Sequence, residues 1–202
     1  MELSNAGLAE KTGKRYISIR NRYIIAVFQM QEVYIPHERI KAARSDHGIL
    51  KEVGKACRCT IKVNDDAVEI EGDPIDEFTA RSIVSAFGRG FDVETAMLLK
   101  DQDYYFKSID LRQLEPNSKR IHQVKARIIG ENGRAKRYIE EVSAAHISVY
   151  GDTVSIIGTA EQLYEAETAI STLVEGGTHK LAYLKMEAAH RKNKQQMHSA
   201  GF

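Results

Sequence analysis

Long apolar runs are missing from this chain of 202 residues, which excludes a helix able to span a membrane. Tyr23 to Phe28 is apolar, but it is too short and basic residues surround it. The N-terminus lacks the apolar core of a secretory signal, so a cytoplasmic location with no membrane partner is expected. Cysteine is scarce: there are two, Cys57 and Cys59. They fall in the alternating pattern Cys57, Cys59, Ile61, Val63, which predicts a strand with both thiols facing the core. A metal site would need further ligands at suitable spacing, and the seven histidines are scattered, so neither a metal nor a cofactor is expected. Reduced, buried thiols suit a cytosolic protein.

The constellations of an enzyme are absent as well. There is no nucleophile beside a base, no carboxylate cluster beside a glycine turn, and no phosphate loop ending in Gly-Lys-Ser/Thr. Asp65-Asp66 reads as a hairpin turn between two strand patterns rather than a metal pair. No catalytic residue is therefore expected, and a binding protein is.

The net charge of +1 averages over opposed regions. Asp65 to Asp103 holds eleven Asp or Glu against Arg81, Arg89 and Lys100, whereas Asn117 to Arg137 holds seven basic residues against the single acid Glu131. The basic region predicts a surface for a polyanion, and the acidic one a solvated face.

Within the basic region stands Arg127-Ile128-Ile129-Gly130-Glu131-Asn132-Gly133-Arg134-Ala135-Lys136-Arg137-Tyr138-Ile139. Ile121, Val124, Ile128 and Ile129 form one apolar helical pattern, and Ala135, Ile139 and Val142 form another, so Gly130–Gly133 reads as the turn between two helices. Two glycines three apart let a backbone approach without a side chain intervening. A helix that starts at Gly133 turns amide groups outward, an arrangement that favours phosphate. Lys125, Arg127, Arg134, Lys136 and Arg137 would neutralise phosphates. Beyond the second helix, Ala145, Ile147 and Val149 predict a strand, Tyr150-Gly151-Asp152 a turn, Val154 and Ile156 a second strand, and Glu161 to Val174 a long amphipathic helix. A groove is expected between the Gly130–Gly133 turn and the strand His146–Val149. Ile128, Ile129 and Ile147 would form its apolar floor, with plain core packing expected for at least one of them.

From Pro36 onward, a shift of 86 residues superimposes the chain on itself without a gap. Ile61-Lys62-Val63 falls on Ile147-Ser148-Val149, Gly72 on Gly158, and Gly90 on Gly176. Two copies of one α+β unit are predicted, with strands at Glu32–Ile35 and Tyr104–Leu111 before them. Short helices are predicted after them, at Val93–Lys100 and Thr178–His190. No Gly/Ser-rich linker separates the copies, which predicts rigid packing. On this alignment Gly130-Glu131-Asn132-Gly133 meets Arg44-Ser45-Asp46-His47. The first copy lacks both glycines and carries an acid, so scaffolding and protein contact are expected of it, with peripheral RNA contact through Lys41, Arg44 and Lys51 left open. The organisation expected is 1–29 a basic, flexible extension, 30–103 the glycine-poor unit, 104–194 the unit with the Gly-x-x-Gly turn, and 195–202 a flexible tail. Met30 is an alternative start.

The helix–Gly-x-x-Gly–helix–strand–strand–helix order resembles the KH domain, whose loop clamps a few backbone nucleotides of a single strand. The segments Val33-Tyr34-Ile35-Pro36-His37-Glu38-Arg39-Ile40, Ser85-Ala86-Phe87-Gly88-Arg89-Gly90-Phe91 and Arg127 to Lys136 make the likeness more specific. Over roughly Gln31 to Lys194 the chain resembles the two-KH ribosome assembly factors of archaea and eukaryotes known as partner of Nob-one. The resemblance implies two tandem type I-like KH domains, each a small three-stranded sheet packed against helices, with an extra short helix. It implies binding to the single-stranded 3′ region of small-subunit ribosomal RNA, and not DNA. It also implies cooperation with the Nob-one endonuclease and a link to the alpha subunit of initiation factor two. No long acidic N-terminal extension of the eukaryotic kind is present, which favours the archaeal form. Two other roles stay open: an RNA-binding subunit of a degradation complex, and a translation-initiation accessory protein. The first usually brings a many-stranded S1-type barrel, and no such pattern is visible.

Overall fold

The computed structural model describes residues 14–15, 28–29, 31–45, 48–65 and 67–199. Most of the N-terminal extension, the Tyr23–Phe28 strand apart from Phe28, the Met30 alternative, Asp46, His47, Asp66 of the Asp65-Asp66 turn and residues 200–202 lie outside the described residues. Lys14–Arg15 (β1) and Phe28–Gln29 (β2) form a short antiparallel pair.

The first unit runs β3 (Gln31–Tyr34), α1 (His37–Ser45), α2 (Ile49–Ala56), β4 (Thr60–Val63), β5 (Ala67–Glu71) and α3 (Pro74–Gly88). α4 (Val93–Met97) follows, with a 3-10 turn at Leu98–Lys100. The second unit runs β6 (Tyr105–Asp110), α5 (Leu111–Leu114), α6 (Ser118–Ile129), α7 (Arg134–Ser143), β7 (His146–Tyr150), β8 (Thr153–Gly158), α8 (Ala160–Val174) and α9 (His179–Ser199). Each unit has one three-stranded antiparallel sheet, ordered β3-β5-β4 and β6-β8-β7. This is the α+β, type I KH arrangement that the sequence resemblance implies. α9 is 21 residues long and continues to Ser199, past both the short helix expected at Thr178–His190 and the tail expected from residue 195.

Local chemistry sets the helix starts. Asp73 caps α3 through the amide of Ile75, with Pro74 in the first turn, where its missing N–H costs nothing. Thr159 and Gln162 form a reciprocal capping box on α8. Asn117 caps α6 through the amide of Lys119.

The 86-residue repeat holds from α2 onward down to backbone detail. Arg58 and Ala144 both take left-handed conformations (φ 52° and 55°), as do Gly90 and Gly176 (φ 95° and 94°). In the first helix the repeat slips. Arg39 donates to the carbonyls of Phe87 and Phe91, and Arg127 donates to those of Leu173 and Gly177. The carbonyls correspond under the 86-residue shift, but the arginines are 88 apart. The buried Ile40 and Ile128 are 88 apart too. The ungapped alignment is thus corrected: the first unit has two extra residues between its first two helices, and α1 runs on to Ser45 where α6 has already stopped.

The cysteines also differ from expectation. Cys57 closes α2 and Cys59 precedes β4, so neither lies in a strand; Cys57 is buried and Cys59 half-buried. The left-handed Arg58 between them turns the chain from helix to strand. Burial first, then Cys57 and the carboxylates of Asp76, Glu77 and Asp73, push the Cys59 thiol up to about 11. Both thiols are protonated at neutral pH, Cys57 being raised by burial as well.

The two units share a face. All six residues of β8 are buried, because this central strand is covered on both sides. Val154 and Ile156 point into the second core, while Ile157 joins the first unit's core with Phe106 packed against it. The Phe106 ring meets Phe91 edge-on at 6.4 Å. Burying a side chain the size of Ile157 contributes about 1.5–3 kcal/mol, so this is a core contact. Two polar links frame it: Tyr150 Oη donates to Glu38 Oε2 at 3.0 Å, and Ser148 Oγ to the Arg89 carbonyl at 2.8 Å.

Candidate nucleic-acid interface

The Gly130–Gly133 segment is the tight turn its spacing predicts, and its two glycines are needed for different reasons. Gly130 (φ +73°) ends α6 where a Cβ would sit 2.6 Å from the Ala135 Cβ and 2.7 Å from its nitrogen, so the close approach is to the chain's own next helix. Gly133 (φ +75°) has open space around it, with only Arg137 Nε at 3.9 Å from an added Cβ. The tip residues Glu131 and Asn132 are exposed, and Asn132 is left-handed (φ 51°), a conformation Asn and Asp tolerate. No side chain caps α7, and the Arg134 amide at its start bonds the Glu131 carbonyl.

A cavity of about 410 Å³ lies beside the turn, reached by the flanking Ile129 and Lys136 and not by Gly130–Gly133 themselves. One wall is Ile129, Lys136 and Glu140, and the floor is the edge strand β7 from His146 to Val149. The opposite wall comes from the first unit: Gly90, Phe91, Asp92 and Thr95. Gly90 is pressed against β7, since a Cβ there would lie 2.8 Å from Ser148 Oγ and 3.0 Å from Tyr150 Cβ. Sequence spacing gives no sign of this second wall; only the docking of the units creates it.

The basic residues divide. Arg134 is exposed at the start of α7. Lys136 lines the groove with its ammonium 2.9 Å from both oxygens of Glu140, and Glu140 in turn accepts the Ile147 amide at 2.8 Å. Arg137 braces the turn from behind, donating to the Asn132 carbonyl at 2.6 Å. Lys125 points to the β7–β8 turn, 3.4 Å from Asp152, which Arg112 also holds at 2.7 Å. These two cations hold the Asp152 carboxyl below its usual range, the Arg112 hydrogen bond being the larger cause. Arg127 corrects the sequence expectation most clearly. Its guanidinium is spent on the carbonyls of Leu173 and Gly177 in the α8–α9 turn, so it staples the fold instead of facing a phosphate.

The isoleucines divide in the same way. Ile128 is 0% exposed and belongs to the core; Ile147 is 3% exposed and also packs there; Ile129, 37% exposed, is the most open of the three toward the groove. The strand's edge is partly used already. Glu140 occupies the Ile147 amide, and the alternation of an antiparallel ladder aims the backbone groups of Val149 the same way, into the cavity. Among the described residues, no group of three or more His, Cys, Asp or Glu is placed to hold a metal ion. No helix among them is long and apolar enough to cross a membrane.

Residues 105–191 match the model for the second KH domain of Pno1, described as a eukaryotic type KH domain, type I. A KH domain-containing protein of Methanocaldococcus jannaschii is 34% identical over 167 residues, covering 79% of this chain and 74% of that protein. The chain belongs to the Pno1 family of two-KH ribosome assembly factors. The pre-rRNA-processing protein pno1 of Aspergillus fumigatus is 34% identical over 96 residues; the match spans 46% of this chain and 38% of that Pno1. A crystal structure of an a/eIF2alpha–aDim2p–rRNA complex from Pyrococcus horikoshii OT3 superimposes with a TM-score of 0.74 at 35% identity, covering 81% of this chain and 95% of that one. That similar structure is a complex that contains rRNA.

Proposed function

We propose that this chain binds single-stranded RNA in the second unit's groove and acts without catalysis as a small-subunit ribosome assembly factor. Its target is the 3′ region of 16S ribosomal RNA, and its task is to present that end to the Nob-one endonuclease in the cytoplasm. The observation that carries the proposal is the Gly130–Gly133 turn: left-handed glycines and an uncapped helix start beside a groove that holds Ile129 and Lys136. The backbone of one or two nucleotides would lie on the turn, with Arg134 and Lys136 against phosphates. Bases would rest on Ile129 and meet the edge of β7. The sequence-chosen residues Gly130, Glu131, Asn132, Gly133, Arg134 and Lys136 keep this role. Lys125, Arg127, Arg137, Ile128 and Ile147 act from beneath it.

Anisotropy titration of a labelled 16S 3′-end RNA against a scrambled RNA of equal length tests the proposal. Tighter binding of the native sequence, with no cleavage when magnesium is added, is expected. Equal binding would remove the 3′-end assignment, and cleavage would remove the non-catalytic one.

A role beside translation initiation draws on the relative solved with a/eIF2alpha. Co-elution of this chain with the alpha subunit of initiation factor two, with and without RNA, tests that partner separately.

A further inference from the structure

The first unit's wall of the groove ends in a charged group that the phosphate clamp does not use. Asp92 caps α4: its Oδ1 accepts the Thr95 amide at 2.7 Å and its Oδ2 the Thr95 hydroxyl at 3.0 Å. Those bonds, the backbone one foremost, hold its carboxyl below the usual range, so it is ionised at neutral pH. A carboxylate offers about four lone-pair sites, and Thr95 fills two. Asp92 is exposed on the cavity, whose other carboxylate, Glu140, is committed to Lys136 and the Ile147 amide. The wall is held in place, because the Arg89 carbonyl accepts the Ser148 hydroxyl, Gly90 packs closely against Tyr150, and Arg39 grips the Phe91 carbonyl at 2.7 Å.

We infer that Asp92 reads a base in the groove, accepting a hydrogen bond from the exocyclic amino group of an amino-bearing base and disfavouring uracil. A fixed anion cannot serve a phosphate, and facing the edge of β7 it meets whatever base the turn's phosphate contacts deliver. Cytosine presents an amino donor beside acceptors, which a carboxylate can take. Uracil's only Watson–Crick donor is flanked by two carbonyl oxygens that the carboxylate repels. The second unit's selectivity thus resides partly in the first unit. This inference rests on the proposal that RNA occupies the groove.

The test uses the full chain and end-labelled oligomers of cytidine and of uridine, about ten nucleotides long, near pH 7. Asp92→Asn and Asp92→Ser both retain a good helix cap while removing the charge. The wild type is expected to bind the cytidine oligomer about fivefold or more tightly than the uridine one, the scale of one good base contact. In both variants the ratio should fall below about twofold with melting unchanged. A wild-type ratio near one, or a ratio that both variants preserve, overturns the inference and leaves RNA binding standing. Failure of the wild type to bind either oligomer overturns the RNA proposal itself.

Discussion

Ser148, on the edge strand of the second unit, donates its hydroxyl to the backbone carbonyl of Arg89 in the first unit at 2.8 Å. That bond places the Gly90–Thr95 segment alongside β7 and gives the groove its second wall. A KH groove otherwise open along its strand edge becomes a cleft with both units as sides.

Gly90→Ala should disturb this wall. The position has φ +95°, and an added Cβ would press on Ser148 and Tyr150 at 2.8–3.0 Å. Backbone strain and overpacking together should cost about 1–3 kcal/mol of stability. Denaturant unfolding checks this; an unchanged midpoint would mean the units do not dock through this turn.

Arg127→Ala and Arg134→Ala should differ in kind. Arg127 holds the carbonyls of Leu173 and Gly177, so its loss should lower stability by about 1.5–3 kcal/mol and leave the salt dependence of RNA binding alone. Arg134, exposed beside the turn, should do the reverse, reducing the log–log salt slope by about 0.7, the share of one phosphate on a single strand. Unfolding curves and titrations at several salt concentrations separate the two. A reversal of roles would restore Arg127 to the phosphate site.

Cys59 should make the protein sensitive to alkali. Its thiol is held up to about 11 in the fold, whereas an unfolded cysteine ionises near pH 8.5. The unfolded chain releases this proton first, so stability should be level below about pH 8.5 and fall between there and about pH 11. Cys59→Ala should flatten that limb in denaturant titrations at stepped pH. An equally steep limb in the variant would assign the loss to other groups.

The glycine turn, the apolar periods and the repeat were legible in the sequence because each is a local pattern. The KH order followed from them, and so did the exposed tip at Glu131 and Asn132. What escaped is what depends on distant chain segments. The basic stretch from Lys119 to Arg137 looks uniform, yet Arg127 turns to a carbonyl some fifty residues away and Lys125 to Asp152. The two-residue slip in the repeat was hidden because α1 extends smoothly through the place where α6 stops. The cysteines looked like strand residues because alternation alone does not reveal the left-handed Arg58 between them. The first unit's share of the groove left no trace in spacing, since it arises from the packing of one unit on the other.

The central claim is that RNA phosphate lies on the Gly130–Gly133 turn, and changing Glu131 and Asn132 together to Asp tests it most directly. Both side chains are exposed, and Asp tolerates the left-handed conformation at position 132, so the fold should be retained. The added negative charge, beside a partly desolvated phosphate, should cost on the order of 1–3 kcal/mol. The measurement is the affinity of the double variant for single-stranded RNA, taken with its melting curve. A roughly tenfold to hundredfold loss of affinity with unchanged melting is the predicted result; wild-type affinity in a normally folded variant would contradict it and place the RNA elsewhere.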